Sequence, residues 1–217
     1  MLAVVVDVDD TLIDTNRRRW AAWCHVLGRE LPSEIVEGHR TREILRTYAP
    51  SDNEVWKRFW KLLLCWENEG IRLLNLDTPF PYAAEIVRRW SEQFRVVYLT
   101  GRSKNMYDLT LEELNKFGFP VENVDLVMLS LNDWNKYLNA KASPIQLRSK
   151  LFSSVDARHE IIRVVDDIPS YFPIYKRFGV PQRIAIQRQK IYSRQEYFSH
   201  GATKVIKKWK QLSDNGD

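Results

Sequence analysis

Ala3-Val4-Val5-Val6-Asp7-Val8-Asp9-Asp10-Thr11-Leu12 is the stretch that decides the fold. Its first four residues are apolar and mostly β-branched, the pattern of a strand buried on both faces. Positions 7–11 then place three carboxylates and a hydroxyl within five residues. Buried charge is costly unless it is paired, hydrogen-bonded or metal-bound, so acids at the mouth of a buried strand call for a cation. In open α/β sheets that mouth, at the carboxyl end of the strands, is where ligands sit. Taken alone, the stretch could also be an Asp-rich turn that merely stops the strand.

The rest of the chain supplies the context. After Asp14-Thr15-Asn16, an N-cap signal, Trp20, Trp23, Cys24 and Leu27 recur at helical spacing up to Gly28. A second helical stretch opens at Pro32-Ser33-Glu34. A third is expected from Asn53 to Glu69, ended by Gly70. From Tyr82 the texture changes to alternating helix and strand. Strands are predicted at Arg95–Leu99, Val124–Leu129, Ile161–Val165 and Arg183–Ile186, with helices between them and a basic helical tail after the last. Ser143-Pro144 reads as a helix start, Gly118 as a helix end. Such alternation predicts an α/β fold with a doubly wound, mostly parallel sheet. The division expected is a core of residues 1–15 and 77–217, interrupted by an all-helical insertion at 16–76.

Composition narrows the function classes. At 217 residues the chain can bury a sizeable core, and 44% hydrophobic with 28% charged residues is ordinary for a globular protein. A formal charge of +5 favours an anionic partner without separating a phosphometabolite from nucleic acid. Cys24 and Cys65 have no metal-ligand spacing and read as reduced core thiols. The apolar start is too short for a secretory signal and lacks a basic flank, and no stretch has the length of a membrane span. The expected address is the cytoplasm, with no membrane partner.

Parallel strands bring their carboxyl ends to one edge, so Asp7, Thr100 and Asp166-Asp167 should converge there. Together these motifs resemble, in order and on predicted strands, the haloacid dehalogenase-like (HAD) superfamily. Asp7-x-Asp9-x-Thr11 is similar to its first motif, Thr100 to its second, and Asp166-Asp167 to its acidic fourth. The resemblance implies a Rossmann-like core and a Mg²⁺-dependent phosphomonoester hydrolase working through an aspartyl-phosphate. Asp7 would be the nucleophile. Asp9 would be the general acid/base, with a pKa expected above that of an ordinary aspartate. Thr100 would donate its hydroxyl to the phosphoryl group. By resemblance the metal ligands are the Asp7 carboxylate, the Asp9 backbone carbonyl and an acid of the fourth motif, Asp166 in preference to Asp167. Carboxylate ligands suit a hard cation such as Mg²⁺. The family's third motif is a lysine. Lys141, just before Ser143-Pro144, is the candidate, with Lys150 as runner-up. Asp9 argues against a dehalogenase, since members with that activity lack an acid there.

The helical insertion resembles the family's C1 cap. Within it, Gly38-His39-Arg40-Thr41-Arg42 resembles a specificity loop, so Arg40 and Arg42 are candidates to meet an anionic leaving group. Thr11, Gly101 and Arg102 are the expected substrate contacts on the core. Thr100-Gly101-Arg102 is also similar to the second motif of polynucleotide phosphatases, which keeps a nucleotide or nucleic-acid end open as substrate. The expected partner is nevertheless a small anionic phosphate ester, because a helical cap hinders a polymer. A phosphomutase or a non-catalytic phospholigand-binding module would also be compatible with these motifs. The expected state is monomer or homodimer.

Overall fold

The computed structural model describes residues 1–50, 52–188 and 190–212. Its centre is β1 (Leu2–Val6), whose residues from Ala3 onward are fully buried. β1 lies between β4 (Arg95–Ser103) and β6 (Glu160–Asp166), with β5 (Val124–Leu129) beyond β4 and β7 (Gln182–Ile186) beyond β6. A sixth strand, β8 (Lys204–Ile206), closes the far edge. All pairings in this sheet are parallel. β8 corrects the expectation of a helical tail. Three residues amid lysines carry almost no alternation to read, and the strand forms because Ala185 and Ile186 of β7 are there to pair with Val205 and Ile206.

Helices cover both faces of the sheet. Side chains alternate along β1, so Val5 faces one layer with Val97, Leu99, Phe152 and Tyr175. Val4 and Val6 face the other, with Ile86 and Trp90 of α6 (Ala83–Ser91), Leu114 and Trp209. Local chemistry starts the helices where expected. Ser143 caps α9 (Pro144–Asp156), accepting from the Gln146 N–H at 3.2 Å. α7 (Tyr107–Lys116) gives way to Gly118 at φ +79°.

Between β2 (Ile13–Asp14) and β3 (Thr78–Pro79), a short antiparallel pair, the chain leaves the sheet as α1 (Asn16–Leu27), α2 (Ile35–Gly38), α3 (Thr41–Tyr48), α4 (Asn53–Leu63) and α5 (Asn68–Leu73). These helices share an apolar cluster of their own, in which Trp23 stacks on Phe59 with ring centroids 4.1 Å apart. The long helix expected over Asn53–Glu69 is two. The chain breaks at Leu64 and at Cys65, which sits at φ +52°, and Gly70 lies inside α5 rather than ending a helix. Its role is steric: a Cβ on Gly70 would fall 2.1 Å from the Leu62 carbonyl oxygen. Among the described residues no helix is long and apolar enough to cross a membrane.

Candidate active site

The β1 register decides what meets at the sheet edge. Val6 pairs with Tyr98 on one side and Val165 on the other, so Asp7, Thr100 and Asp166 emerge side by side. The Asp7 N–H bonds the Val165 carbonyl at 3.0 Å, extending the ladder into the site. Beyond it the chain turns tightly. Asp10 adopts φ +60°, and the N–H groups of Leu12 and Ile13 return to the Val8 carbonyl at 2.9 and 3.1 Å.

Carboxyl oxygens of Asp7, Asp166 and Asp167 lie within 4.8 Å of one another, and all three residues are buried. Burial pushes the Asp7 carboxyl well above the usual range, against the pull of Arg148 and with the help of the Asp166 and Asp9 charges. Asp167 is raised likewise, by burial and then by Asp10, Asp166 and Asp7. Three hard oxygen donors buried this close together fit a divalent cation of the Mg²⁺ type. The two fourth-motif acids differ in surroundings. Asp166 accepts from Arg148, from the Tyr175 hydroxyl and from the Ile168 N–H, whereas Asp167 lines the cavity above the sheet edge.

The basic partner of these acids is not a lysine. Lys141 is exposed and does not line the cavity. Lys150 points away from the site, its side chain 62% exposed and paired with Asp133 at 2.6 Å. Arg148 of α9 takes the place expected for them. It is 4% exposed and lies 2.9 Å from Asp7 Oδ1. It also pairs with Asp166 and donates to the Leu99 carbonyl at 2.8 Å and the Tyr175 hydroxyl at 2.7 Å. A signal for it existed. Arg148 shares the helical spacing of Leu151, Phe152 and Val155, all buried, while Lys150 falls on the opposite face.

Asp9 is clasped from two sides. Arg18 of α1 reaches its Oδ1 at 2.7 Å, and Arg102 reaches it through Nε at 3.1 Å and Nη2 at 2.8 Å. The Thr100 hydroxyl donates to Asp9 Oδ2 at 3.3 Å and receives the Arg102 N–H at 3.1 Å. Although burial opposes it, the two guanidiniums hold the Asp9 carboxyl well below the ordinary carboxylate range. The expected raised pKa is therefore corrected, because charge pairing outweighs crowding. Arg102 lines the cavity, is 3% exposed, and has its Nη1 on Glu113, at 2.5 Å, and on the Thr110 hydroxyl. Asp77, just before β3, completes the network at 3.3 Å from Arg18 and 3.6 Å from Arg102.

Arg18 and Arg19, to which a basic helix start gives no special pull, line the cavity. Arg19 lies 3.1 Å from Asp10 Oδ2. The clue was periodicity, since Arg18, Ala22 and Val26 share one buried stripe. Thr11 is buried beside Asp7, and its backbone carbonyl accepts from Trp209 at 2.9 Å. Gly101 lines the cavity and its carbonyl accepts from the Trp134 indole at 2.9 Å. Arg40 and Arg42 line the outer cavity. Their guanidiniums lie over the rings of Tyr192 and Trp56, at 5.3 and 5.4 Å from the centroids.

Neither a protein-family model nor a curated protein matches the sequence. Solved structures do match along the whole chain. A hydrolase of the haloacid dehalogenase-like family from Streptococcus pneumoniae superposes with a TM-score of 0.68 at 13% identity, covering 99% of this chain and 98% of that one. The chain has the HAD-like fold. A protein described as a predicted phosphatase, from Clostridium acetobutylicum, gives a TM-score of 0.69 at 13% identity over 98% of this chain and 96% of its own. A HAD family hydrolase from Deinococcus radiodurans, solved with bound phosphate and sodium, gives 0.60 at 15% identity over 97% and 92%. In a HAD-like fold the acids of β1 and β6 stand at the switch point of the sheet, where a crevice for ligands opens.

Proposed function

We propose that the protein is a Mg²⁺-dependent phosphomonoester hydrolase acting on a small phosphate ester. The observation that carries this is the buried group of Asp7, Asp166 and Asp167 with Arg148 bridging two of its members. A phosphate ion in the Deinococcus radiodurans structure of the same fold is consistent with it. In this reading residues 1–15 and 77–217 are the catalytic core and 16–76 a lid that shields the reaction from water. The expected compartment remains the cytoplasm, and the oligomeric state a monomer or homodimer.

Asp7, Asp167 and the Asp9 carbonyl would hold the cation. Asp167 is placed ahead of Asp166 because it lines the cavity, whereas Asp166 already accepts from Arg148, Tyr175 and Ile168. When bound, Mg²⁺ would offset the charge that the phosphoryl group brings to the carboxylates. An Asp7 oxygen attacks phosphorus, the ester P–O bond breaks, and the leaving oxygen takes a proton from Asp9. Asp9 then removes a proton from water, which attacks the phosphorus, frees phosphate and restores Asp7. Asp9 as clasped is a carboxylate, suited to the second half of this cycle. Donating a proton requires both guanidinium contacts to weaken, that of Arg102 as well as that of Arg18, which belongs to the lid. Arg148 holds the Asp7 and Asp166 carboxylates in place, the Thr100 hydroxyl, expected on the phosphoryl group, instead orients Asp9, and Arg40 and Arg42 stand at the rim as charges for the leaving group. With Arg102 committed to Asp9 and Glu113, the support it lent to a nucleic-acid end is withdrawn.

The test is phosphate release from p-nitrophenyl phosphate with and without Mg²⁺, for the wild type and Asp7→Asn. Release that needs the metal and vanishes in the variant is expected. Undiminished release by Asp7→Asn, in a preparation free of other phosphatases, refutes the mechanism.

A further inference from the structure

The cavity above the sheet edge measures about 440 Å³, within the size range of small-molecule sites. Its two ends differ in chemistry. One holds Asp7, Asp9, Asp167 and Arg148; the other is walled by Trp56 and Trp60 of α4, from the lid, and by Trp134 and Tyr137 of α8 (Leu131–Leu138), from the core. The rings form one continuous array. Trp60 stands 4.9 Å from Trp134 and 5.9 Å from Tyr137, centroid to centroid, and Trp56 stands 6.1 Å from Tyr137. Leu63, Leu64, Leu147 and Leu151 fill the same wall.

The array starts beside the phosphoryl end. Trp134 is fixed by its indole N–H to the Gly101 carbonyl, one residue beyond Thr100. A leaving group attached to a phosphate at Asp7 would share the cavity with these rings. A polyol there would lose its water and find few hydrogen-bond partners besides the buried Trp60 indole N–H, whereas a flat ring would gain stacking contacts. The polar groups of the wall do not change this balance. Arg42 lies over Trp56 and is spent on the Tyr137 hydroxyl, and the cavity's other arginines apart from Arg40, namely Arg18, Arg19, Arg102 and Arg148, are engaged with carboxylates.

We propose that the site selects phosphate monoesters whose alcohol part carries a planar aromatic ring, with the ring seated against Trp60, Trp134 and Tyr137. The proposal rests on the phosphatase reading for its phosphoryl end, and on the aromatic wall alone for its selectivity. Two kinds of molecule offer that chemistry, simple arylalkyl phosphates and nucleoside monophosphates.

The experiment compares kcat/KM, with Mg²⁺, for 2-phenylethyl phosphate against glycerol 3-phosphate, and for adenosine 5′-monophosphate against ribose 5-phosphate. Each pair releases an alkyl alcohol, so intrinsic reactivity is closely matched. A preference of about tenfold or more for an aromatic member, carried by KM, is expected from ring stacking. The first pair alone showing it assigns an arylalkyl ester, the second a nucleotide. Trp134→Leu and Trp60→Leu, each checked for an intact thermal transition, should shrink that ratio several-fold. Equal values within both pairs, or preference for the polyol, overturn the proposal while leaving a phosphatase. Should no ester turn over, calorimetric binding of 2-phenylethylphosphonate and 2-hydroxyethylphosphonate, with Mg²⁺, separates the two readings. Tighter binding of the aromatic compound keeps the selectivity and sinks the hydrolase. Equal or absent binding sinks the selectivity too.

Discussion

Arg148→Met is the most informative single change, because it tests the assignment of the site's basic residue without assuming any activity. In the wild type this side chain is 3% exposed and joins Asp7 and Asp166 while also holding the Leu99 carbonyl and Tyr175. Methionine keeps the volume and removes the charge, leaving two buried carboxyls without a counter-ion. Breaking a buried pair from one side costs about 3–5 kcal/mol. At about 2–4 °C per kcal/mol for a chain of this size, the transition should fall by about 6–20 °C at neutral pH. The sign of the pH dependence follows from Asp7, whose carboxyl is raised even with Arg148 in place. Losing the guanidinium raises it further, so the folded protein retains protons that the unfolded chain gives up. The deficit must then stay small while the wild-type Asp7 carboxyl keeps its proton, and grow as pH rises through that raised value. Calorimetric melting of wild type and variant from pH 5 to pH 8 measures it. Lys150→Met and Lys141→Met serve as controls and should stay within about 0.5 kcal/mol of the wild type. A neutral-pH transition within about 2 °C of wild type, or a deficit that grows toward acid, refutes the placement of Arg148 as the bridge.

Other expectations follow from the same contacts. Burial pushes the Asp77 carboxyl up to about 8, against Arg18 and Arg102, so the folded chain holds a proton that the unfolded one loses above its ordinary value of 3.8. Stability should therefore fall as pH rises toward 8, and Asp77→Asn should flatten that slope in urea titrations; parallel slopes would count against a buried neutral Asp77. Gly70→Ala, which in a free helix gains up to about 1 kcal/mol, should instead lose about 1–3 kcal/mol because the new Cβ meets the Leu62 carbonyl at 2.1 Å. A higher urea midpoint for Gly70→Ala would show that this approach is not tight. Mg²⁺ at a hundredfold excess over its dissociation constant should stabilise the fold by about 2.7 kcal/mol, and Asp167→Asn should abolish the gain. An equal shift produced by NaCl at matched ionic strength would remove the case for a specific cation.

How much of this was legible in the sequence depends on the range of the interaction involved. The apolar run ending in Asp7-Val8-Asp9, the alternation of strand and helix after Tyr82, and the caps at Ser143 and Gly118 are short-range signals, and the structure follows them. The meeting of Asp7, Thr100 and Asp166 was equally readable, since parallel strands bring their carboxyl ends together whatever the remaining contacts are. Which guanidinium meets which acid was not. Arg148 rather than Lys141, and Arg18 from a basic triplet, depend on how a helix is rotated toward the sheet edge, and Arg102, at the end of β4, on an acid 93 residues away. The ionisation of Asp9 belongs with them: crowding alone predicts a raised pKa, and two arginines from different elements reverse it. The break at Cys65, the tight seat of Gly70 and the strand β8 likewise exist only because another segment lies against them. Sequence by itself settled where the acids would stand, because backbone pairing is periodic and local. Tertiary packing settled their charge states and partners, because electrostatic energy in a buried site depends on distances that no local pattern encodes.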